Sequence, residues 1–422
     1  MPPDDTLAFL LAPHRVSWET LRDRYGPLLA LVHTLIGVVP NCDPYLEIWA
    51  PAFRTYNILV PNLLNVPFSI FGIRSAPAHV VGIGMYVSSR TAECPYCTAH
   101  SCSFALRRGA SPEKMAQVLV GGKSFTPGEL ATVAVARSLA RVPSELTAPE
   151  RENLQRCFGP DQAEWIVLGI VMMGFLNKFM NAIGVELEAP TAAEVKTTIG
   201  PDWSPGKAGR DLDPTARSSP PRADTLRTKL RIVPHMPTAL RLDSRWQRGV
   251  PARWPKAGTF LRDLTGHDFP VLSRVRHGRA IRSVASALRE NLDSETTVIG
   301  LNTKVLAGVV FAAVVADETL ATDVRALAPK QGVTDAQLDH AERFATDPSA
   351  EPPGGDAKTC AALVLARSAS PSPAEVDTGV VITCRDVGLS APAIVELVTW
   401  LAVLQMLHRL SSYYAPEPVP AA

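Results

Sequence analysis

Two cysteines and a histidine lie close together in residues 94–100. Proline is favoured at the first position of a helix, so Pro95 predicts a helix with Cys94 as its cap residue. Cys94, Cys97 and His100 follow one another at intervals of three residues and would share one face of that helix. The free N–H groups and the positive end of the helix dipole should lower the pKa of a thiol there. The spacing therefore predicts a redox dithiol.

The position of His100 distinguishes the two thiols. It follows Cys97 by one helical turn and can act on that thiol as a cation or as a proton acceptor, which favours Cys97 as the attacking thiolate. Cys94 would then be the resolving thiol, closing a disulfide after oxidation. Two alternatives remain open. A zinc site would need two further ligands, and the sequence has no second Cys-x-x-Cys or His-x-His cluster to supply them; the cysteines could also be ordinary small core residues.

The motif and the stretch that follows it, residues 105–111, resemble the alkylhydroperoxidase D-like and carboxymuconolactone decarboxylase family. Residues 125–138 and 177–184 extend the resemblance, which covers residues 45–188 in all. It implies an all-helical fold, assembly into trimers or hexamers, and thiol-dependent reduction of hydroperoxides. By this resemblance Cys97 is the peroxidatic thiol, Cys94 is the resolving thiol, and His100 belongs to the proton relay.

The chain departs from the family pattern at two points. The histidine follows the second cysteine by three residues, one fewer than in many members, a spacing that keeps it on the thiol face. Many members also carry a glutamate well before the first cysteine, where this chain has Gly82. Glu93, beside the motif, and His79, one turn before Gly82, are candidates for the role of that carboxylate, although each could be an ordinary polar residue. Tyr96, inside the motif, is a further supporting residue.

The expected reaction is reduction of a small organic hydroperoxide, with an external dithiol as the reductant that reopens the disulfide. No bound cofactor and no metal is expected. Two other classes of function remain open: a decarboxylase-like enzyme that acts on a small lactone with His100 as acid and base, and a non-enzymatic interaction protein. Peroxide-dependent loss of two titratable thiols would separate the first function from both others.

Charge, apolar runs and cysteine content indicate which partners and which cellular compartment to expect. A net charge of +1 gives no electrostatic reason to expect nucleic acid or an anionic membrane as a partner. The start of the chain is acidic, without a cleavable signal, and the longest apolar runs are too short for a membrane helix or, in residues 391–407, contain Glu396. Seven scattered cysteines favour a reducing cytoplasm. The cysteines outside the motif are expected to be structural: Cys42, Cys102, Cys157, Cys360 and Cys384.

The length of 422 residues predicts two domains, and short matches indicate that the second repeats the first. Residues 109–115 match 332–338 at an offset of 223, and residues 136–143 match 366–373 at an offset of 230. The first offset puts Asp317, Leu320 and Asp323 at the positions of Cys94, Cys97 and His100, so the second copy would lack the dithiol. Coincidental similarity between helical turns is the alternative.

Helical periodicity without period-two alternation predicts an all-α fold of two alkylhydroperoxidase D-like domains in tandem. A homo-oligomer is expected, either a trimer or a dimer of two-domain chains, with the second copy acting as a packing partner. The predicted organisation is an N-terminal helical extension (1–44), the domain with the dithiol (45–188), a proline-rich linker (189–256) and the degenerate domain (257–422).

Overall fold

The computed structural model describes residues 6–119, 124–200, 203–209, 212 and 221–415, and every regular element in these residues is a helix. The predicted all-α class is therefore confirmed. Most of the two loop-like stretches expected in the linker, 211–214 and 218–221, lie outside the described residues.

The α-helices are α1 (Leu7–Leu11), α2 (Trp18–Ile36), α3 (Asp43–Leu46), α4 (Ala50–Leu63), α5 (Ala78–Thr91), α6 (Pro95–Arg107), α7 (Pro112–Gln117), α8 (Pro127–Ala140), α9 (Ala148–Ile183), α10 (Ala189–Ile199), α11 (Leu226–Leu230), α12 (Met236–Trp246), α13 (Lys256–Thr265), α14 (Gly278–Leu292), α15 (Leu301–Val314), α16 (Glu318–Arg325), α17 (Ala328–Gln331), α18 (Asp335–Thr346), α19 (Ala357–Ala369), α20 (Thr378–Asp386) and α21 (Ala391–Tyr414). Short 3-10 helices lie at Ala12–His14, Phe68–Phe71, Gly206–Gly209, Val233–His235 and Pro270–Arg274.

Helix α9 is the central element of the first half and packs against α4, α5, α6 and α8. Thr147 and Glu150 form a capping box at its start, and Gly184 ends it in the left-handed conformation. Gly159, at φ 71°, interrupts the helix between the two stretches that the sequence predicts as separate helices, 147–157 and 161–183. The part after the interruption is almost wholly buried, which makes it the core against which the dithiol helix packs.

Helices α5, α6 and α7 of the first half begin 223 positions before α15, α16 and α18 of the second. Helices α5 and α15 both contain 14 residues and start 223 positions apart. The turn into the next helix also recurs: Glu93 and Ala316 have φ of 48° and 52°. The cap residues Cys94 and Asp317 then have φ, ψ of −102°, 97° and −113°, 98°. The two halves meet through corresponding helices, because α4 packs on α14 and α9 packs along α21.

The segment 189–256, predicted from its prolines to be a linker, also contains helices. Pro190 and Pro237 stand in the first turns of α10 and α12, where a proline does not disrupt helical hydrogen bonding. Helix α10 packs on α6 and α7, and α12 packs on α2 and α4. The rings of Trp246 and Phe53 meet edge to face with centroids 6.4 Å apart. Several prolines therefore start helices that cover the first half.

Two helices among the described residues, α9 and α21, are long and apolar enough to span a membrane. Their most apolar windows are 89% and 94% buried inside the protein. Burial of this extent is typical of core helices in a soluble protein, since a membrane helix would present part of its surface to lipid.

Candidate active site

The dithiol lies at the turn between α5 and α6. Cys94 is the cap residue of α6, and its sulfur accepts a hydrogen bond from the N–H of Cys97 at 3.3 Å. Its own N–H donates to the carbonyl of Ser89, near the end of α5, at 3.0 Å. Both thiols are buried and free, at 0% and 3% exposure. The predicted helix start, cap residue and thiol adjacency are all found, with Pro95 at the first helical position.

An apolar cavity of about 140 Å³ lies beside Cys97 and His100, which both line it, whereas Cys94 is not among its lining residues. Helix α2 covers the cavity with Leu28, Leu31 and other apolar side chains. Helices α4, α5 and α9 contribute the remaining walls, including four methionines: Met85, Met172, Met173 and Met180. The N-terminal extension therefore covers one side of the site.

A carboxylate that the sequence does not reveal stands beside His100. The Nε2 atom of His100 lies 2.8 Å from Oε2 of Glu188, which precedes α10. The hydroxyl of Tyr96 donates to Oε1 of the same carboxylate at 3.1 Å, and the backbone N–H of Asn41 donates to it at 2.6 Å. Burial alone would raise the pKa of Glu188, but His100 and the backbone N–H of Asn41 hold it below its usual value. Glu188 thus places a negative charge beside the imidazole.

Close packing explains why Gly82 carries no carboxylate. A Cβ at Gly82 would lie 2.7 Å from the Cα of Ala105, so α5 and α6 approach too closely for a side chain there. The two residues predicted as substitutes do not contact His100. Glu93 is exposed, and His79 lies 3.7 Å from Glu129, with burial lowering its pKa. Tyr96, by contrast, packs its ring 4.6 Å from that of His100 and belongs to the site.

The electrostatic surroundings of Cys97 differ from the sequence expectation. Burial raises the pKa of Cys97 well above its ordinary value, and Cys94 and Cys42 raise it further, while the charge of Arg409 opposes them. The expected lowering by the helix terminus is therefore outweighed by desolvation, since thiolate formation is costly away from water. In the resting site Cys97 is a protonated thiol.

A third thiol, expected to be only structural, lies beside the motif. Burial, Asp43 and Glu188 raise the pKa of Cys42, and hydrogen bonds with Tyr96 and Tyr56 oppose them. Asp43 is also buried, and desolvation together with Glu188 and Glu47 raises its pKa to about 8. No local pattern predicts this cluster, because Cys42 and Asp43 lie far along the chain from Tyr96 and Glu188. Of the other cysteines, Cys102 and Cys384 are buried, Cys360 is partly buried and Cys157 is exposed.

Within the described residues, no group of three or more His, Cys, Asp or Glu side chains is arranged to hold a metal ion. No family model and no curated protein matches the chain. Among solved structures, the chain is similar to the crystal structure of the debrominase Bmp8 in its apo form, at 19% identity. The match covers 42% of this chain and 93% of that one, with a TM-score of 0.38. A match at this level assigns neither a family nor an activity to the chain.

Proposed function

We propose that this protein is a thiol-dependent oxidoreductase that reduces small organic hydroperoxides through Cys97 and Cys94, with His100 as the proton carrier. The observation that carries the proposal is that only one of the two thiols lines the cavity. Cys97 and His100 both line an apolar cavity, while Cys94 is held beside Cys97 but does not line it. This arrangement suits an attacking thiol that meets the substrate and a resolving thiol that does not.

In the first step, Cys97 gives up its proton and its sulfur attacks the outer oxygen of the hydroperoxide. The O–O bond breaks, Cys97 becomes a sulfenic acid, and the remaining alkoxide takes the proton and leaves as an alcohol. His100 is the carrier of that proton, and Glu188 at 2.8 Å and Tyr96 hold the ring in place. Because Cys97 is protonated at rest, proton removal accompanies the attack.

In the second step, the sulfur of Cys94 attacks the sulfur of the sulfenic acid. A disulfide forms, and the hydroxyl leaves as water with the proton of Cys94. The cap position keeps the two cysteines adjacent, so closure needs little backbone movement. An external dithiol then reduces the disulfide by exchange and is itself oxidised to a disulfide.

The cavity indicates the size and polarity of the hydroperoxide. Its lining is dominated by aliphatic, aromatic and methionine side chains, and its volume is about 140 Å³. An apolar cavity of about 150 Å³ in another protein accommodates benzene, so a single aromatic ring or a short branched alkyl group matches this one. We therefore expect cumene hydroperoxide to be reduced faster than hydrogen peroxide, which leaves the apolar walls unoccupied.

A second candidate function has one observation in its favour. Burial raises the pKa of Cys97, whereas the His100 and Glu188 pair is already assembled. That combination suits a decarboxylase-like reaction on a small lactone, with His100 as acid and base and the thiols incidental. Cys97→Ser would then leave lactone turnover intact, whereas His100→Ala would abolish it.

We further propose that α14–α21 are a degenerate second copy of α4–α9, and that both have the alkylhydroperoxidase D-like fold. The recurring helix order and the matching backbone angles before α6 and α16 support this proposal.

The chain would act in the cytoplasm as a homo-oligomer of two-domain chains, either a dimer or a trimer. Light scattering on the full chain tests the assembly, and a monomer would contradict it.

Thiol counting on the full chain tests the proposed activity. Reduced protein, freed of reductant, is mixed with cumene hydroperoxide, denatured and titrated with a thiol reagent. We expect two of the seven thiols to be lost, with one alcohol formed per chain and a disulfide between Cys94 and Cys97 in the mapped peptides. Cys157→Ser, which removes an exposed thiol, is the control and should still lose two. Retention of all seven thiols, or a disulfide elsewhere, would contradict the proposal.

A further inference from the structure

Arg409 is a fully buried arginine of α21, in the second half of the chain, whose side chain reaches into the first half. Its Nη1 atom donates to the hydroxyl of Ser88 at 2.7 Å and to the carbonyl of Ile170 at 3.1 Å. Its Nε and Nη2 atoms are buried and have no hydrogen-bond partner among the described residues. A buried guanidinium with free N–H groups is costly unless a nearby negative charge compensates it.

The contact between α9 and α21 makes room for this side chain. A Cβ at Gly174 of α9 would lie 3.0 Å from Cδ of Arg409 and 2.9 Å from the carbonyl oxygen of Gln405. The absence of a side chain at Gly174 therefore lets α21 approach α9 and lets the stem of Arg409 pass between the helices. Because of this close approach, the guanidinium of Arg409, which belongs to the second half of the chain, lies in the interior of the first half.

The backbone around Ser88 connects the guanidinium with the dithiol. Arg409 binds the Ser88 hydroxyl, and the carbonyl of the next residue, Ser89, accepts the N–H of Cys94. The positive charge of Arg409 favours the thiolate of Cys97 and opposes the effect of burial. In return, the two thiols favour the charged form of Arg409, whose pKa burial lowers to about 9. At neutral pH the guanidinium is still charged, so the resting site contains this cation.

Other titratable groups around the thiols do not supply the same charge. Cys94, Cys42 and Tyr56 interact with Cys97 as acids, so their ionised forms would repel a thiolate. His100 lies beside Cys97 in the cavity wall but is engaged by Glu188. Burial and the charge of Arg409 lower the pKa of Lys178 in α9, and its amino group donates to the carbonyls of Ala369 and Ser370 at the end of α19.

We propose that Arg409 is the fixed positive charge of the dithiol site and stabilises the Cys97 thiolate from the second half of the chain. The inference rests on the proposed function only in taking Cys97 as the attacking thiol. Arg409 touches Ser88 rather than the sulfurs, so it is a positioning residue that acts through its electric field. The second half, which lacks a dithiol of its own, would thereby complete the site of the first.

The test is the pH dependence of Cys97 alkylation in the full chain, measured with iodoacetamide and mass mapping in the absence of peroxide. Arg409→Gln and Arg409→Met should raise the midpoint by one pH unit or more, which slows alkylation about tenfold at a fixed pH below it. Arg409→Lys keeps a cation only in part, because burial lowers the pKa of a lysine there, and its midpoint should lie between those of wild type and Arg409→Met. Arg409→Met is included because an apolar side chain of similar volume often replaces a buried charge without loss of folding.

Lys304→Met is the matched control, since Lys304 is also a buried cation of the second half but pairs with Glu396 at 2.7 Å. It should lower stability and leave the alkylation midpoint unchanged. A folded neutral variant of Arg409 with the wild-type midpoint overturns the proposal. If neither neutral variant folds, Ser88→Ala decides: the guanidinium, then held only by the carbonyl of Ile170, should move away from the dithiol turn and raise the midpoint, and an unchanged midpoint overturns the proposal. Alkylation needs no hydroperoxide, so failure here is distinct from failure of the peroxidase proposal.

Discussion

The starts of α6 and α16 share a backbone and differ in chemistry. At each, a residue with positive φ precedes a cap residue whose side chain accepts the N–H of the residue three positions later. The cap is Cys94 in the first half and Asp317 in the second, with acceptor distances of 3.3 and 2.9 Å. An aspartate is a better cap than a thiol. The dithiol therefore replaces a stronger local interaction with a weaker one, as expected where a residue is kept for chemistry.

The two helix starts also differ in what surrounds their side chains. In the second half, His408 lies 2.7 Å from Asp317 and His267 lies 2.8 Å from Asp323, while Leu320 is fully buried at the position of Cys97. Each histidine is thus paired with an aspartate, and the leucine is packed in the core. In the first half, Cys97 and His100 line a cavity that α2 covers. The same turn thus occurs in two different surroundings, and under the proposed function the N-terminal extension and Glu188 would make the first one reactive.

The largest expected effect is the loss of hydroperoxide turnover in Cys97→Ser. A serine hydroxyl is a far weaker nucleophile than a thiolate, so the rate with cumene hydroperoxide and an excess of dithiothreitol should fall on the order of 10³-fold or more. Cys94→Ser should still form one alcohol per chain without reductant and should accumulate a sulfenic acid on Cys97, detected with dimedone. A sulfenic acid on Cys94 in the Cys97→Ser protein would reverse the two roles.

The corresponding change in the second half should affect stability instead of turnover. Leu320→Ala removes a fully buried side chain and should lower the free energy of unfolding by about 2–5 kcal/mol. Urea denaturation measures that loss, and the turnover per folded molecule should stay at the wild-type value. If Leu320→Ala instead lowered turnover without lowering stability, the second turn would have a direct role in the reaction, and the contrast between the halves would be wrong.

Local sequence predicts much of the first site because its core is one short helix start. Pro95, Cys94, Cys97 and His100 all lie in one continuous stretch, so helical geometry determines their arrangement. The all-α class follows from periodicity in the same way.

The residues that complete the site could not be predicted, because each comes from a distant part of the chain. Glu188 reaches His100 from the start of α10, and Arg409 approaches from α21. The raised pKa of Cys97 likewise arises from burial under α2, which no local pattern reports. The prediction of a linker did not include the helices α10 and α12 for a related reason. Prolines occur both in extended connectors and at helix starts, and packing decides between the two.

The acidic residues around the first site should make stability depend on pH. The pKa of Asp43 is raised to about 8 by desolvation, so the native state keeps this carboxyl neutral where the unfolded chain has ionised it. Its contribution to stability is therefore full below about pH 4 and is lost as the pH rises toward 8, at about 1.4 kcal/mol per unit. Asp43→Asn, which mimics the neutral form, should lack this decline. Urea denaturation across this range measures it, and parallel curves for wild type and variant would contradict the expectation.

The smallest expected effect concerns Tyr96, whose counterpart Thr319 in the second half is exposed. The Tyr96 hydroxyl donates to Glu188 at 3.1 Å, so Tyr96→Phe removes one hydrogen bond to a charged group while leaving the ring beside His100. A loss of this kind amounts to about 1–3 kcal/mol, and because Asn41 still binds the same carboxylate we expect the lower end, or about a tenfold fall in turnover. Thr319→Val is the matched control and should change neither turnover nor stability. Equal turnover in Tyr96→Phe and wild type would show that Glu188 orients His100 without the tyrosine. The functional difference between the two turns would then lie only in the thiols, His100, Glu188 and the cavity.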